Sequence, residues 1–173
     1  MGDPMTITLN GTTGITTPAL DSVAPFSSAD MPAGSVLQVL QFVYSGANVT
    51  ATSGTPIATG LSISITPTSA SSKILVLCNP NWAVNSAGGA DGVSMGYIYR
   101  NGTNIYNLYN RIYTYGNSNG VYKNGGHSLV YLDSPTTTSA IIYEFYMSLL
   151  AGSSGQIQGD GGSSSITVLE IAA

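Results

Sequence analysis

Charge is what this sequence has least of. Only four of its 173 residues are basic, Lys73, Arg100, Arg111 and Lys123, and eight are acidic, so 7% of the chain is charged and the net charge is −4. Ordinary soluble domains carry about 25% charged residues. Four dispersed cations cannot build the basic stripe that neutralises a run of phosphates, which excludes nucleic acid as a partner. Cysteine is almost missing too: Cys78 stands alone, so neither an intrachain disulfide nor a cysteine-based metal cluster can form. It lies in an apolar run, where a single thiol behaves as a small buried hydrophobe. No window approaches the ~18 consecutive apolar residues of a membrane-crossing helix. The opening MGDPMTITLNG lacks the basic and then apolar segments of a signal peptide. The expectation is a soluble protein with no membrane insertion.

Catalytic groups are equally sparse. His127, in NGGHSLV, is the only histidine, and no G-x-S-x-G elbow accompanies it. The carboxylates Asp133, Glu144, Asp160 and Glu170 fall on separate segments, with no pair at glycosidase separation. The GGADG around Asp91 and the QGDGG around Asp160 lack the repeated acidic spacing of a calcium loop. The reading is therefore of a protein that is not an enzyme, with no metal and no cofactor. A small polysaccharide-active enzyme is the remote catalytic alternative.

The chain has instead 43% hydrophobic residues, 21 Gly, 11 Tyr and an excess of Ser, Thr and Asn. Its organising stretch is residues 61–78, LSISITPTSASSKILVLC. Leu61, Ile63 and Ile65 alternate with Ser62, Ser64 and Thr66, the period-two pattern of a strand with one dry and one wet face. Residues 74–78 are apolar on both faces and must be covered from both sides. The short polar turn between the two predicts a hairpin.

Other strands follow at even spacing. Residues 35–44, SVLQVLQFVY, form a first strand, and 79–84 continue the second half of the central stretch past Pro80. Asn101-Gly102 supplies the positive φ angles of a type I′ turn, so 93–100 should pair with 103–109. Residues 111–115 and 121–123 flank a second turn, and 129–132 make a short strand ended by Asp133, Ser134 and Pro135. Ile141, Tyr143, Phe145, Met147 and Leu149 line one face of a core strand. A stretch read as flexible, AGSSGQIQGDGGSSS, precedes the last strand, 166–171. Ile166 and Val168 alternate there with Leu169 and Ile171 in a segment apolar on both sides, so it belongs in the middle of a sheet or at a subunit interface. Eight to ten strands without helical periodicity or a repeat of constant length indicate an all-β fold, an antiparallel β-sandwich of jelly-roll type. The Thr-, Gly- and Pro-punctuated residues 1–34 cannot bury enough to fold alone, and read as an extended N-terminal arm before a knob spanning 35–173.

Seven tyrosines, Tyr97, Tyr99, Tyr106, Tyr109, Tyr113, Tyr115 and Tyr122, crowd into about a sixth of the chain. With Asn117, Asn119 and glycine turns they suit a surface that binds by stacking and adaptable hydrogen bonds, as carbohydrate sites do. Cross-strand aromatic packing within the sandwich or between subunits is the favoured reading, since alternation should bury half of these rings anyway.

The runs GSVLQVLQF, GLSISITPTSASSKILVL, YRNGTNIY, VYLDSPTTTSAIIYEFYM and SSSITVLEIAA, in that order, resemble the C-terminal β-domain of tail-fibre-type virion proteins of bacteriophages, notably those of marine and cyanobacterial viruses. The upstream NGTTGITTPAL is similar to connecting segments in such proteins. The resemblance implies a homotrimeric jelly-roll knob on the virion, with Ile166, Val168, Leu169 and Ile171 near the threefold axis. It further implies that residues 1–34 bind other virion proteins and that Tyr109, Tyr113, Tyr115, Asn117, Asn119 and Tyr122 meet the host surface, where a glycan is the expected ligand. A short arm followed by a knob also suits a capsid decoration, or cement, protein.

Overall fold

The computed structural model describes residues 8–10, 14–16, 30–86, 91–112, 121–158 and 161–173. The strands in chain order are β1 (Thr8–Asn10), β2 (Gly14–Thr16), β3 (Val36–Tyr44), β4 (Val49–Ala51), β5 (Ile57–Ile65), β6 (Lys73–Asn79) and β7 (Asn81–Ser86). They continue with β8 (Gly92–Arg100), β9 (Thr103–Ile112), β10 (Val121–Gly126), β11 (Leu129–Asp133), β12 (Ile141–Ala151), β13 (Ser154–Ile157) and β14 (Ser164–Ile171). No α-helix occurs among the described residues. β1 and β2 pair with each other as a small antiparallel sheet. The rest form three four-stranded sheets, ordered β11-β6-β14-β3, β10-β7-β13-β4 and β5-β12-β8-β9, antiparallel throughout.

The first two sheets are halves of one bent layer, because each strand of the first is joined in sequence to the strand at the same place in the second. The bend falls at Pro80, which has no N–H to give to a ladder. Side chains take over there: the Asn81 N–H donates to Ser164 Oγ at 2.8 Å, and that hydroxyl donates to Gln158 Oε1 at 2.6 Å. Gln158 itself sits at φ 64°, donates its backbone N–H to the Asn81 carbonyl, and donates Nε2 to the Tyr44 carbonyl. Three of the four bent strands are thus tied at one polar joint.

Counting each joined pair as one strand leaves eight. The first then lies beside the last, the second beside the seventh, the third beside the sixth and the fourth beside the fifth. The bent layer packs on β5-β12-β8-β9 over a core in which Leu61, Ile74, Val76, Cys78, Trp82, Ile98, Tyr143, Phe145, Ile166 and Val168 are fully buried. Trp82 meets Phe145 edge to face, with ring centroids 5.8 Å apart. Gly96 permits this contact, since a Cβ there would lie 2.7 Å from Phe145 Cε2.

Several expectations hold. The Asn101-Gly102 turn has φ values of 47° and 78° and joins β8 to β9. Ile141, Tyr143, Phe145, Met147 and Leu149 all face the core. Cys78 is buried, and burial raises its thiol pKa.

Two local expectations do not hold. Residues 61–78 are not a hairpin: β5 pairs with β12 in one layer, whereas β6 pairs with β11 and β14 in the other. The turn between them is a crossover, because a strand apolar on both sides gains more between two neighbours than at an edge. The stretch read as flexible contains β13, held between β7 and β4 with Ile157 buried. Its one apolar anchor, spaced out by glycines and serines, is too little for a periodicity to show.

The crossover is fastened by a buried carboxylate. Glu170 accepts from Gln38 Nε2 at 2.6 Å, from the Thr68 N–H at 2.7 Å and from Thr68 Oγ1 at 2.8 Å. Burial by itself would raise its pKa, but the hydrogen bonds from Gln38 and Thr68 outweigh that and hold the carboxyl below the ordinary 4.5.

Two predictions follow from this packing. Gly96→Ala should destabilise the fold by about 1–3 kcal/mol through overpacking, measured as a lower denaturant midpoint with an unchanged slope. Because the folded-state pKa of Glu170 is depressed, its contribution is present above 4.5 and fades as pH falls through the folded value. Glu170→Gln should therefore lower stability near neutral pH and flatten the acid limb of stability against pH, read from urea midpoints across that range.

Candidate functional site

Strand alternation puts one set of side chains of β6 and β14 into the core and the other set on the outside of the bent layer. Ile74, Val76, Cys78, Ile166 and Val168 point inward and have no exposed surface. Their alternates are also apolar. Leu132, Leu75, Leu169 and Val39 stand in one row across all four strands of β11-β6-β14-β3. The next row is Val130, Leu77, Thr167 and Gln41, and on the other side Lys73, Ile171 and Val36 close the face.

Nothing among the described residues covers this face. Val39 is 56% exposed, Val130 53% and Leu132 49%, while Leu75, Leu77, Leu169 and Ile171 are half-buried by their neighbours. Lys73, at one end, is its only charged residue among those described. The apolar surface continues at β3, the outermost strand. Leu40 and Phe42 point toward the inner side, yet they remain 38% and 39% exposed, β3 being an edge strand of its sheet among the described residues. Four strands at ~4.8 Å spacing and seven residues at ~3.3 Å rise make a face of about 440 Å². Singly exposed apolar residues are ordinary on a monomer, whereas an apolar row running across a whole sheet is a candidate contact surface.

The residues singled out from sequence divide accordingly. Of the four expected at an interface between copies, Ile166 and Val168 cannot serve: they are already covered inside one subunit. Leu169 and Ile171 lie on the uncovered face. The final strand does sit in the middle of its sheet, between β6 and β3. Of the residues expected to meet a host, Tyr109 on β9 is 60% exposed and Tyr122 on β10 is 40% exposed. Those two strands belong to different layers. Tyr113, Tyr115, Asn117 and Asn119 lie outside the described residues.

Other tyrosines pack against one another or against polar side chains, some on the outer side of the β8–β12 pair and some inside the sandwich. Tyr99 stacks on Tyr146 at 4.1 Å between centroids, and Tyr106 stacks on Tyr131 at 5.3 Å. Buried Tyr97 shares a 2.9 Å hydrogen bond with Ser148 Oγ.

The polar clusters are structural. Asp133 accepts from Arg100 Nη1 at 2.9 and 2.8 Å and from the Tyr143 hydroxyl at 2.7 Å, which joins β11 to β8 and β12 across the core. Burial, and then this bond to Asp133, raise the Tyr143 pKa, so the phenol stays protonated. His127 is exposed between β10 and β11 with its ring edge-on to Trp82 at 5.9 Å. None of these arrangements pairs a nucleophile with a base. The Thr68–Ser72 crossover, with Met31 and Leu37, walls a cavity of about 370 Å³ rich in hydroxyls. Sequence reasoning missed β3 as a contact element, although its run VLQVLQFVY, apolar on both faces, is visible beforehand.

No family model matches the chain, and no curated protein matches it. Twenty-five chains of solved structures do match. One is the VP2 subviral particle of infectious bursal disease virus, 13% identical, with 80% of this chain and 34% of that one covered and a TM-score of 0.38. A viral particle of the same virus matches at 12% identity over 100% of this chain and 41% of that one, with a TM-score of 0.35. The Gt strain matches at 15% identity over 100% and 44%, with a TM-score of 0.32. The chain thus spans less than half the length of each of these neighbours.

Proposed function

We propose that this chain is a non-enzymatic structural subunit of a bacteriophage virion, a jelly-roll knob that works as a homotrimer on the particle surface. The observation that carries the assembly role is the uncovered apolar face of β11-β6-β14-β3 with its single lysine. A free monomer gains nothing from this surface, and copies that bury it against one another do. The pairing of first strand with last, second with seventh, third with sixth and fourth with fifth supports the jelly-roll reading. The ordered sequence blocks that resemble tail-fibre domains support the place on a phage particle. In this reading residues 1–34 attach to other virion proteins, and exposed Tyr109 and Tyr122 are candidate contacts for a host-surface glycan.

Light scattering should give a mass near three times 17.7 kDa, and the double variant Val39→Glu with Leu132→Glu should give folded monomers with unchanged far-UV circular dichroism. A wild-type monomer at every concentration would sink the assembly role. Tyr109→Ala with Tyr122→Ala should weaken binding to host cells about tenfold, or 1.4 kcal/mol, without changing the mass. Labelling the protein on intact particles separates tail from head, and a label confined to the head shell would replace the fibre role by capsid decoration.

A further inference from the structure

We infer that the outer side of β5-β12-β8-β9 holds a site for a ligand bearing an ammonium group, formed by Glu144, Tyr146 and Tyr99. The site lies on the layer opposite the apolar face and does not depend on assembly. The register of β12 against β8 sets Glu144 opposite Tyr99 and Tyr146 opposite Tyr97. The alternates Tyr143, Phe145 and Met147 are buried in the core, so these four side chains belong to the outer side of the sheet. Tyr99 and Tyr146, diagonal neighbours, stack with centroids 4.1 Å apart and planes at 21°. Tyr97 meets Tyr99 edge to face at 6.2 Å. Both stacked rings are only half-buried, and each keeps one face off the stack, where the negative side of the ring quadrupole lies.

Glu144 gives the site its charge. Its side chain is half-buried and has no hydrogen-bond or ion-pair partner among the described residues. Residues directly opposite across an antiparallel pair have Cβ atoms about 5 Å apart, which sets this carboxylate beside Tyr99. Tyr146 is its neighbour two residues along β12 on the same side. The chain's own cations lie elsewhere. Arg100 is turned inward to Asp133, and Lys73 and Lys123 are on strands of the other layer. Arg111 pairs with Val93, six residues along β8 from Tyr99 and so roughly 20 Å away.

A carboxylate without a counter-ion, beside two electron-rich rings, is complementary to a cation. An ammonium group satisfies both parts at once, through Coulomb attraction to Glu144 and cation–π attraction to the tyrosines. The net charge of −4 draws cations and repels anionic ligands. Polar residues border the site on either side: Ser62 is opposite Glu144 on β5, and Asn104 is opposite Tyr99 on β9. They suit hydroxyl or amide groups attached next to the ammonium.

Choline, ethanolamine and dimethylbutanol, the last an uncharged isostere of choline, test the site by saturation-transfer NMR titration. At least one ammonium probe should bind in the millimolar range, and the alcohol at least about fivefold more weakly. Tighter choline assigns a quaternary ammonium, tighter ethanolamine a primary one. Glu144→Gln, which changes a side chain with no partner to lose, should keep the fold and weaken the ammonium probe about fivefold or more. Tyr146→Leu should weaken it too, whereas Tyr109→Ala should not, because Tyr109 is opposite Met95, four residues along β8 from Tyr99. Equal binding of choline and dimethylbutanol would overturn the inference, since the rings would then act by apolar contact alone. Unchanged binding by folded Glu144→Gln, or no binding of either ammonium probe, would overturn it as well.

Discussion

Everything in this fold follows from two neighbouring strands, β6 and β14, that are apolar on both faces. A pleated strand presents alternate side chains to opposite sides, so such a strand cannot satisfy both sides within a two-layer sandwich. The inner set, Ile74, Val76, Cys78, Ile166 and Val168, forms the core. The outer set, Leu75, Leu77, Leu169 and Ile171, is left with only its lateral neighbours. Buried area does not convert directly into affinity, so what this face contributes to association depends on how well a partner fits it.

The near absence of charge belongs to the same picture. The ion pair Arg100–Asp133 and the carboxylate of Glu170 are turned inward and used as fasteners, one joining β11 to the facing layer and the other tying the β5-to-β6 crossover to the closing strand. Held by these hydrogen bonds, they fix crossing points, a role apolar side chains fill less specifically. Little charge remains to keep the outer face of the bent layer soluble on its own.

The tyrosines show how one composition serves two ends. Alternation divides them: Tyr97 and Tyr143 are buried with their hydroxyls hydrogen-bonded, Tyr99 and Tyr146 stack on each other, and Tyr109 and Tyr122 project outward. Both readings of the cluster, packing and contact, therefore find residues that suit them, on different strands.

Local pattern sufficed for much of this. The all-β class, the Asn101-Gly102 hairpin, the core face of β12, the continuation of β6 past Pro80 and the burial of Cys78 were legible because alternation, turn chemistry and proline's missing donor act over a few residues. The central position of the last strand was legible from its two apolar faces. Pairing partners were not: that β5 leaves its sequence neighbour β6 for β12, that β10 joins β7, and that glycine-rich 154–157 becomes a strand depend on contacts between segments far apart in the chain. For the same reason sequence could mark Ile166, Val168, Leu169 and Ile171 as apolar without saying which pair faces inward. The amino-acid sequence by itself determined that both sides of this strand must be hidden; only the stacking of the two layers decided that one side is hidden by the chain itself and the other left for a neighbour, because a sandwich has room for one core.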